Sequence, residues 1–312
     1  RPNRQPEFTQ LDLEASFIDE EFLYTLIEEL TVRMFATGGV SLPRPFPRMS
    51  YAEAMDTTGS DRPDLRFGLR FVDVTDIFTD TNYSIFRQIL KRGGCIKGIN
   101  VRGQSEALSK NVLQNEYAKE IAPSFGAKGM TWMRAVGGRL ESNIVQFFSE
   151  AELAELQKRF EVKDGDVLIM VADPSYATVT SALGQLRLHL AARLGLIPEN
   201  TFYPVWITEF PLFEPTDDGG ITSSHHPFTA PDRTDFDPKN MEELLALRSR
   251  AYDLVMNGEE LGGGSIRINN RELQRKIFTA LGLTEDDMRE KFGFFLKAFD
   301  YGAPPHGGLA LG

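Results

Sequence analysis

The chain has 312 residues, 41% hydrophobic and 25% charged, with a formal net charge of −11 at pH 7. That length suits two compact units or one large insertion-bearing domain, and no apolar run reaches the ~20 residues of a bilayer span, so no membrane partner is expected. Cys95 is the only cysteine, which excludes an internal disulfide and a cysteine-based zinc site and suits a reducing cytoplasm; an acidic chain meets nucleic acid only through a local basic surface.

The opening residues, RPNRQPEFTQ, carry neither an initiator Met nor the apolar core of a signal peptide, so an excerpt of a longer chain is expected. QLDLEASF alternates: Leu11, Leu13, Ala15 and Phe17 on one face, Gln10, Asp12, Glu14 and Ser16 on the other, a half-buried strand with an acceptor-rich outer face. IDEEFLYTLIEELTVRMF follows with Phe22, Leu26, Ile27, Leu30 and Met34 at helical spacing, and the prolines of SLPRPFPRMS then predict an extended connector.

From Val72 to Pro198 the texture is that of a separate α+β module. FVDVTDIF and DVLIMVA read as strands, and SEAELAELQKRF reads as a helix opened by a Ser149–Glu152 capping box. A second helix runs through Leu183, Leu186, Leu190 and Leu194 and stops near Gly195. Inside this module Arg87, Lys91, Arg92, Lys97, Arg102 and Lys110 face a single acid, Glu106, either as a solvated surface or as a face for RNA. After it come apolar strands in YPVWITEFPLF, a helix over MEELLALRSRAYDLVMNG, a glycine-rich strand, a helix over TEDDMREKFGFFLKAF, and a turn-rich end, YGAPPHGGLALG.

The glycine stretch NGEELGGGSIRINN fits neither a P-loop nor a dinucleotide fingerprint, and no lysine follows its glycines. Glycines inside a strand mark a bulge or the close approach of something flat. Glu260 and Arg267 would face opposite ways on a flat strand, so either the strand starts after Glu260 or it is bulged at the glycines. In SSHHPF, neighbouring His225 and His226 diverge and make a poor metal pair; each is either a satisfied loop histidine or an imidazole placed to read a carboxylate.

Together RQPEFTQLDLE, GSDRPDLRF, SSHHPF, NGEELGGGSIRI and PPHGGLALG resemble, in order and over essentially the whole chain, the catalytic domain of the bacterial-type aspartyl-tRNA synthetases, a class II family. The middle module, with FGAKGMTW, resembles their GAD insertion. The resemblance implies an α+β fold: an antiparallel class II sheet flanked by helices, catalytic parts at 1–71 and 199–312, and the insertion at 72–198. It implies Asp12, His225 and Arg267 as L-aspartate contacts, Gln5, Glu260 and Gly312 toward ATP, and Asp253 with Glu260 on Mg²⁺.

The implied reaction forms aspartyl-adenylate from L-aspartate and ATP, then transfers the aspartyl group to tRNA(Asp), in a cytoplasmic enzyme that is a homodimer at full length. Two arginines of the class II signatures fall outside the chain, one before Arg1 and one after Gly312, so the isolated segment is expected not to activate aspartate. An ammonia-dependent asparagine synthetase of the related fold, which the GAD-like module argues against, and a non-catalytic nucleotide- or RNA-binding paralogue are the other readings.

Overall fold

A computed structural model describes residues 7–312, so Gln5 lies outside the described residues. The chain divides into two compact units, Arg1–Ala52 with Phe202–Gly312, and Glu53–Thr201. The sequence places the start of the inserted module at 72, whereas the structure divides at Glu53. The 53–71 stretch packs within the second unit: Phe71 sits in its core, and buried Arg187 donates to the carbonyls of Asp64, Phe67 and Gly68.

The strands in chain order are β1 (Leu11–Ser16), β2 (Arg48–Ser50), β3 (Val72–Asp73), β4 (Cys95–Val101), β5 (Thr131–Val136), β6 (Arg139–Glu141), β7 (Val167–Asp173), β8 (Pro204–Thr208), β9 (Phe213–Pro215), β10 (Ile221–Ser223), β11 (Ala251–Met256), β12 (Glu259–Ile266) and β13 (His306–Leu311). The first unit is built on a sheet of order β1-β13-β12-β11-β8-β2, antiparallel except where β2 runs parallel to β8. One face of it, with Leu13, Leu309, Tyr252, Leu254 and Trp206, closes a core with Leu23, Tyr24 and Ile27 of the helix Glu20–Thr37. The other face carries Asp12, Glu14, Asp253 and Ser265, with Val205, Ile207 and Val255 buried toward its β8 side.

That helix is turned away from the expected stripe. Leu23, Tyr24, Ile27, Glu28 and Thr31 are buried, while Phe22, Leu26 and Met34 stay exposed. The aromatic cluster decides the rotation: Tyr24 packs 4.8 Å from Trp206 and 5.6 Å from Tyr252, and the Trp206 indole N–H donates to buried Glu28 at 3.1 Å.

Two central strands differ from expectation. The expected helix over residues 241–258 ends at Ala246, and AYDLVM forms β11, buried along its whole length between β12 and β8. A strand covered on both faces shows no two-residue alternation, which is why its apolar run passes for helix. The turn-rich end holds β13, paired with β1 on one side and β12 on the other. Its glycines are a packing requirement: a Cβ at Gly308 would stand closer than 3.0 Å to the carbonyl of Leu13 and the carboxylate of Glu14. In FVDVTDIF only Val72–Asp73 is strand, and Thr75–Phe78 is a 3₁₀ turn.

The second unit carries an antiparallel sheet of order β3-β4-β7-β5-β6. Helix Tyr176–Arg193 covers one face through Val179, Leu183, Leu186 and Leu190, and Leu156 and Phe160 pack with Phe78 and Phe86 in a second core. Ser149 and Glu152 form the expected capping box. The basic run is largely spent within the fold. Lys97, only 2% exposed, sits on Asp56 (2.6 Å) and Asp73 (3.2 Å), Arg102 pairs with Glu161, and Lys110 pairs with Glu141. No helix among the described residues is long and apolar enough to cross a membrane.

Candidate active site

The acid-bearing face of the first unit's sheet gathers the chemistry. Strand register sets Asp12, Ala310, Gly263 and Asp253 side by side across β1, β13, β12 and β11; the neighbouring rank is Glu14, Gly308, Ser265 and Ala251. The choice left open at the glycines resolves as a bulge within the strand. Leu254 pairs with Gly262 and Val255 with Glu260, so Leu261 is the extra residue. One inserted residue shifts the alternation by one and puts Glu260 on the same face as Gly263, Ser265 and Arg267.

Gly263 leaves room for the acids. A Cβ there would stand closer than 3.0 Å to Asp253 Oδ1 and 3.6 Å from Glu260 Oε1, so two carboxylates share the space that a side chain would fill. Asp253 is buried on the central strand. Among the described residues no group of three or more His, Cys, Asp or Glu is arranged to hold a metal. Two carboxylates nonetheless fit Mg²⁺ bound with phosphate, because that ion keeps several waters and takes its remaining oxygens from the nucleotide.

Arg267 follows β12 and is fixed by its backbone N–H on the His306 carbonyl, 3.0 Å. Its Nη1 meets Ser265 Oγ at 2.7 Å and His226 Nε2 at 2.6 Å; its Nε and Nη2 donate to the two oxygens of Glu14, each at 3.3 Å. A neutral imidazole has one bare nitrogen. Both ring nitrogens of His226 nonetheless face donors: Nδ1 the Phe228 backbone N–H at 3.2 Å, with Thr229 Oγ1 at 3.4 Å, and Nε2 the Arg267 guanidinium. Burial first, and then the neighbouring Arg267 and His225, push the His226 pKa down to about 4, so the ring is neutral at physiological pH.

His225 faces elsewhere. It packs edge-on against Phe210, and its Nε2 lies 3.9 Å from Asp253 Oδ1. Burial opposes its protonation, but the nearby Asp253 carboxylate, with Glu260 and Glu214 behind it, outweighs that and raises its pKa.

Of the expected residues, Asp253 and Glu260 therefore come together, His225 joins them, and Arg267 stands with His226. Asp12 is exposed on the same face, two residues from Glu14, and touches none of the others. Gly312 ends the chain beside the bulge, its N–H on the Leu261 carbonyl at 3.1 Å. The contacts of Glu14 and Ser265 with Arg267 are not among the sequence expectations; both residues lie at two-residue spacing from Asp12 or Arg267, which is the signal that could have found them. A larger cavity, about 750 Å³, lies toward the β2–β8 side of the sheet, but Arg48 and Arg250 there are spent on Glu21 and Glu20.

Residues 1–312 match the family model described as tRNA synthetases class II (D, K and N). The chain is 82% identical over 312 residues to aspartate--tRNA(Asp/Asn) ligase 1 of Syntrophus aciditrophicus (strain SB), covering 100% of this chain and 43% of that protein. It is 46% identical over 314 residues to aspartate--tRNA ligase of Geobacillus kaustophilus (strain HTA426), covering 100% of this chain and 52% of the relative. The chain thus spans about half the length of the curated relatives it matches. A solved asparaginyl-tRNA synthetase from Entamoeba histolytica, in complex with asparaginyl-adenylate, aligns over 97% of this chain and 42% of its own, at 15% identity and a TM-score of 0.37. With the whole chain inside one family model, this protein belongs to the class II tRNA synthetases of the D, K and N group.

Proposed function

We propose that these residues form part of the catalytic region of an aspartate–tRNA ligase, which activates L-aspartate with ATP and passes it to the 3′ end of tRNA(Asp). The observation that carries this reading is Arg267, a guanidinium braced by Ser265 and His226 on the face that also bears Asp253 and Glu260. A planar fork is the group that grips a carboxylate with two parallel hydrogen bonds.

In this reading Arg267 takes the side-chain carboxylate, with His225 adding a donor from the Asp253 side. Asp12, which makes no hydrogen bond or ion pair with a described residue, receives the α-ammonium. The α-carboxylate then attacks the α-phosphorus of ATP in line, and pyrophosphate leaves. Gln5 and Gly312 are assigned to ATP on the sequence resemblance alone. Asp253 and Glu260 would hold Mg²⁺, which when bound would offset the negative charge of the phosphates. The protein's contribution is to position the reactants and offset charge rather than to supply a base.

The second unit, Glu53–Thr201, is assigned as the GAD-like insertion, and the full-length enzyme as a cytoplasmic homodimer. The likeness to relatives named aspartate–tRNA ligases over the entire chain supports the ligase reading; the insertion, compartment and dimer rest on the sequence resemblance alone.

The test is L-aspartate-dependent pyrophosphate exchange by the full-length protein and by its Arg267→Lys variant. A point charge cannot replace the fork, so kcat/KM for L-aspartate is expected to fall by about 100-fold or more. Unchanged exchange in the variant removes Arg267 from recognition. Asparagine and AMP formed from L-aspartate, ATP and ammonia would move the chain to the synthetase of the related fold.

A further inference from the structure

An arginine has five N–H donors, and in Arg267 four are committed: two to Ser265 and His226, and two to the carboxylate of Glu14. One Nη2–H remains. A single N–H cannot grip a carboxylate as a fork, so a ligand that takes the fork does so at the expense of an existing partner. The distances say which one yields: Ser265 and His226 lie at 2.7 and 2.6 Å, Glu14 at 3.3 Å through both of its oxygens.

Glu14 also has somewhere to go. Beside it lies a cavity of about 290 Å³ lined by Ser16, Phe299, Ala303 and His306 among others. The Ser16 hydroxyl is the donor that a carboxylate would meet in that cavity, while the His306 ring is held at its side by the Pro304 carbonyl, 2.8 Å from Nδ1. Gly308, beneath the Glu14 carboxylate, presents no side chain to obstruct the swing.

We propose that Glu14 is a displaceable counter-ion: it neutralises Arg267 in the free protein, and the side-chain carboxylate of the incoming amino acid takes its place while Glu14 moves into the cavity beside Ser16 and His306. The inference rests on the L-aspartate reading above. Exchanging one carboxylate for another keeps the charge at the fork balanced. A neutral amide would have to break an ion pair to make hydrogen bonds, so L-asparagine leaves Glu14 in place and gains only the remaining N–H. Glu14 is thus a positioning residue that sets the affinity of the fork.

The experiment uses the full-length protein and its Glu14→Gln variant in pyrophosphate exchange at low chloride. Glu14 is 46% exposed and Arg267 22%, so their pair is of the modest kind. Its loss is expected to lower the KM for L-aspartate about two- to fivefold with kcat unchanged. The uncompensated guanidinium should also make chloride a competitive inhibitor against L-aspartate in the variant and not in the wild type. A residue that only braces the fold would produce neither effect. A KM that stays put or rises, or exchange indifferent to chloride, overturns the proposal. A second variant, Ala303→Leu, fills the cavity and should raise KM at constant kcat in protein whose circular dichroism is native; an unchanged KM counts against the exchange. Wild-type protein with no L-aspartate-dependent exchange overturns the underlying reading and this inference with it, which sets that failure apart from the others.

Discussion

Charge is handled in opposite ways in the two units. In the second unit it is locked into the fold: Lys97 is enclosed between Asp56 and Asp73, with the Tyr176 hydroxyl donating to Asp56 at 3.0 Å, and Arg187 is buried on three backbone carbonyls. On the acid-bearing face of the first unit's sheet it is held loosely: Arg267 keeps one N–H, Glu14 sits at 3.3 Å, and Asp12 stands exposed. Buried charge with every partner in the fold serves architecture, because releasing it leaves an unpaired ion in low dielectric. Charge on exchangeable partners serves binding. The chain shows both uses with the same residue types, so their partners, and not their identities, separate the two roles.

The sharpest break of that comparison is at Arg187. Burial pushes its pKa down to about 10, the nearby Arg70 pushing the same way against Asp64, and its Cζ lies 4.3 Å from the Phe67 ring centre. The Arg187→Met variant keeps most of the packing but strands the carbonyls of Asp64, Phe67 and Gly68. Loss of a buried, multiply bonded cation is expected to cost about 3–5 kcal/mol of second-unit stability. Urea unfolding followed by hydrogen exchange within residues 53–201 measures it. A cost under 1 kcal/mol by order of magnitude would put Arg187 among ordinary surface positions.

A smaller effect comes from His226. Its pKa in the folded protein is about 4, against an unfolded value near 6.5. Between those values the unfolded chain takes up a proton that the folded ring refuses. Stability contributed by this residue is therefore full above pH 6.5 and falls as pH drops toward 4. From pH 7 to pH 5 the loss is about 2 kcal/mol. Urea midpoints at the two pH values should show it in the wild type, while His226→Gln should lack that part of the slope. Parallel pH dependence in both proteins would mean the ring is protonated beside Arg267.

Legibility followed the same divide. Alternation along QLDLEASF was enough to place Asp12 and Glu14 on one face, although on the other only Leu13 and Ala15 are partly covered and Leu11 and Phe17 stay exposed. The capping box at Ser149 was equally local. The sequence was opaque where structure depends on non-local pairing. β11, covered on both faces, gives no alternation, and β13, built of small residues, passes for a turn. The helix rotation was set by Trp206, 178 positions from Glu28. Both site glutamates could be named from the sequence; that the bulge at Leu261 turns Glu260 onto the face of Asp253, and that Glu14 occupies the fork, required the register.

The last and smallest prediction concerns the basic run. With Lys97 enclosed and Arg102 and Lys110 paired, Arg87, Lys91 and Arg92 are what the run offers a partner, and Arg87 is tied to the Asn82 carbonyl at 3.0 Å. Lys97 is an unsuitable probe of RNA contact, since neutralising it would unpair Asp56 and Asp73 and confuse folding with binding. Lys91→Ala with Arg92→Ala is the clean variant, because both lie in the exposed turn after helix Ser84–Leu90 and should shift stability by no more than about 0.5 kcal/mol. If the run is a solvated surface, the slope of tRNA affinity against salt in the full-length protein is the same with and without the two substitutions. If both side chains meet phosphates, the slope becomes shallower by roughly 1.4 to 1.8, from 0.7–0.9 per phosphate. The structure favours the first outcome: three of the six cations already have carboxylate partners within the unit, and a surface built to hold a polyanion leaves its cations free of such partners.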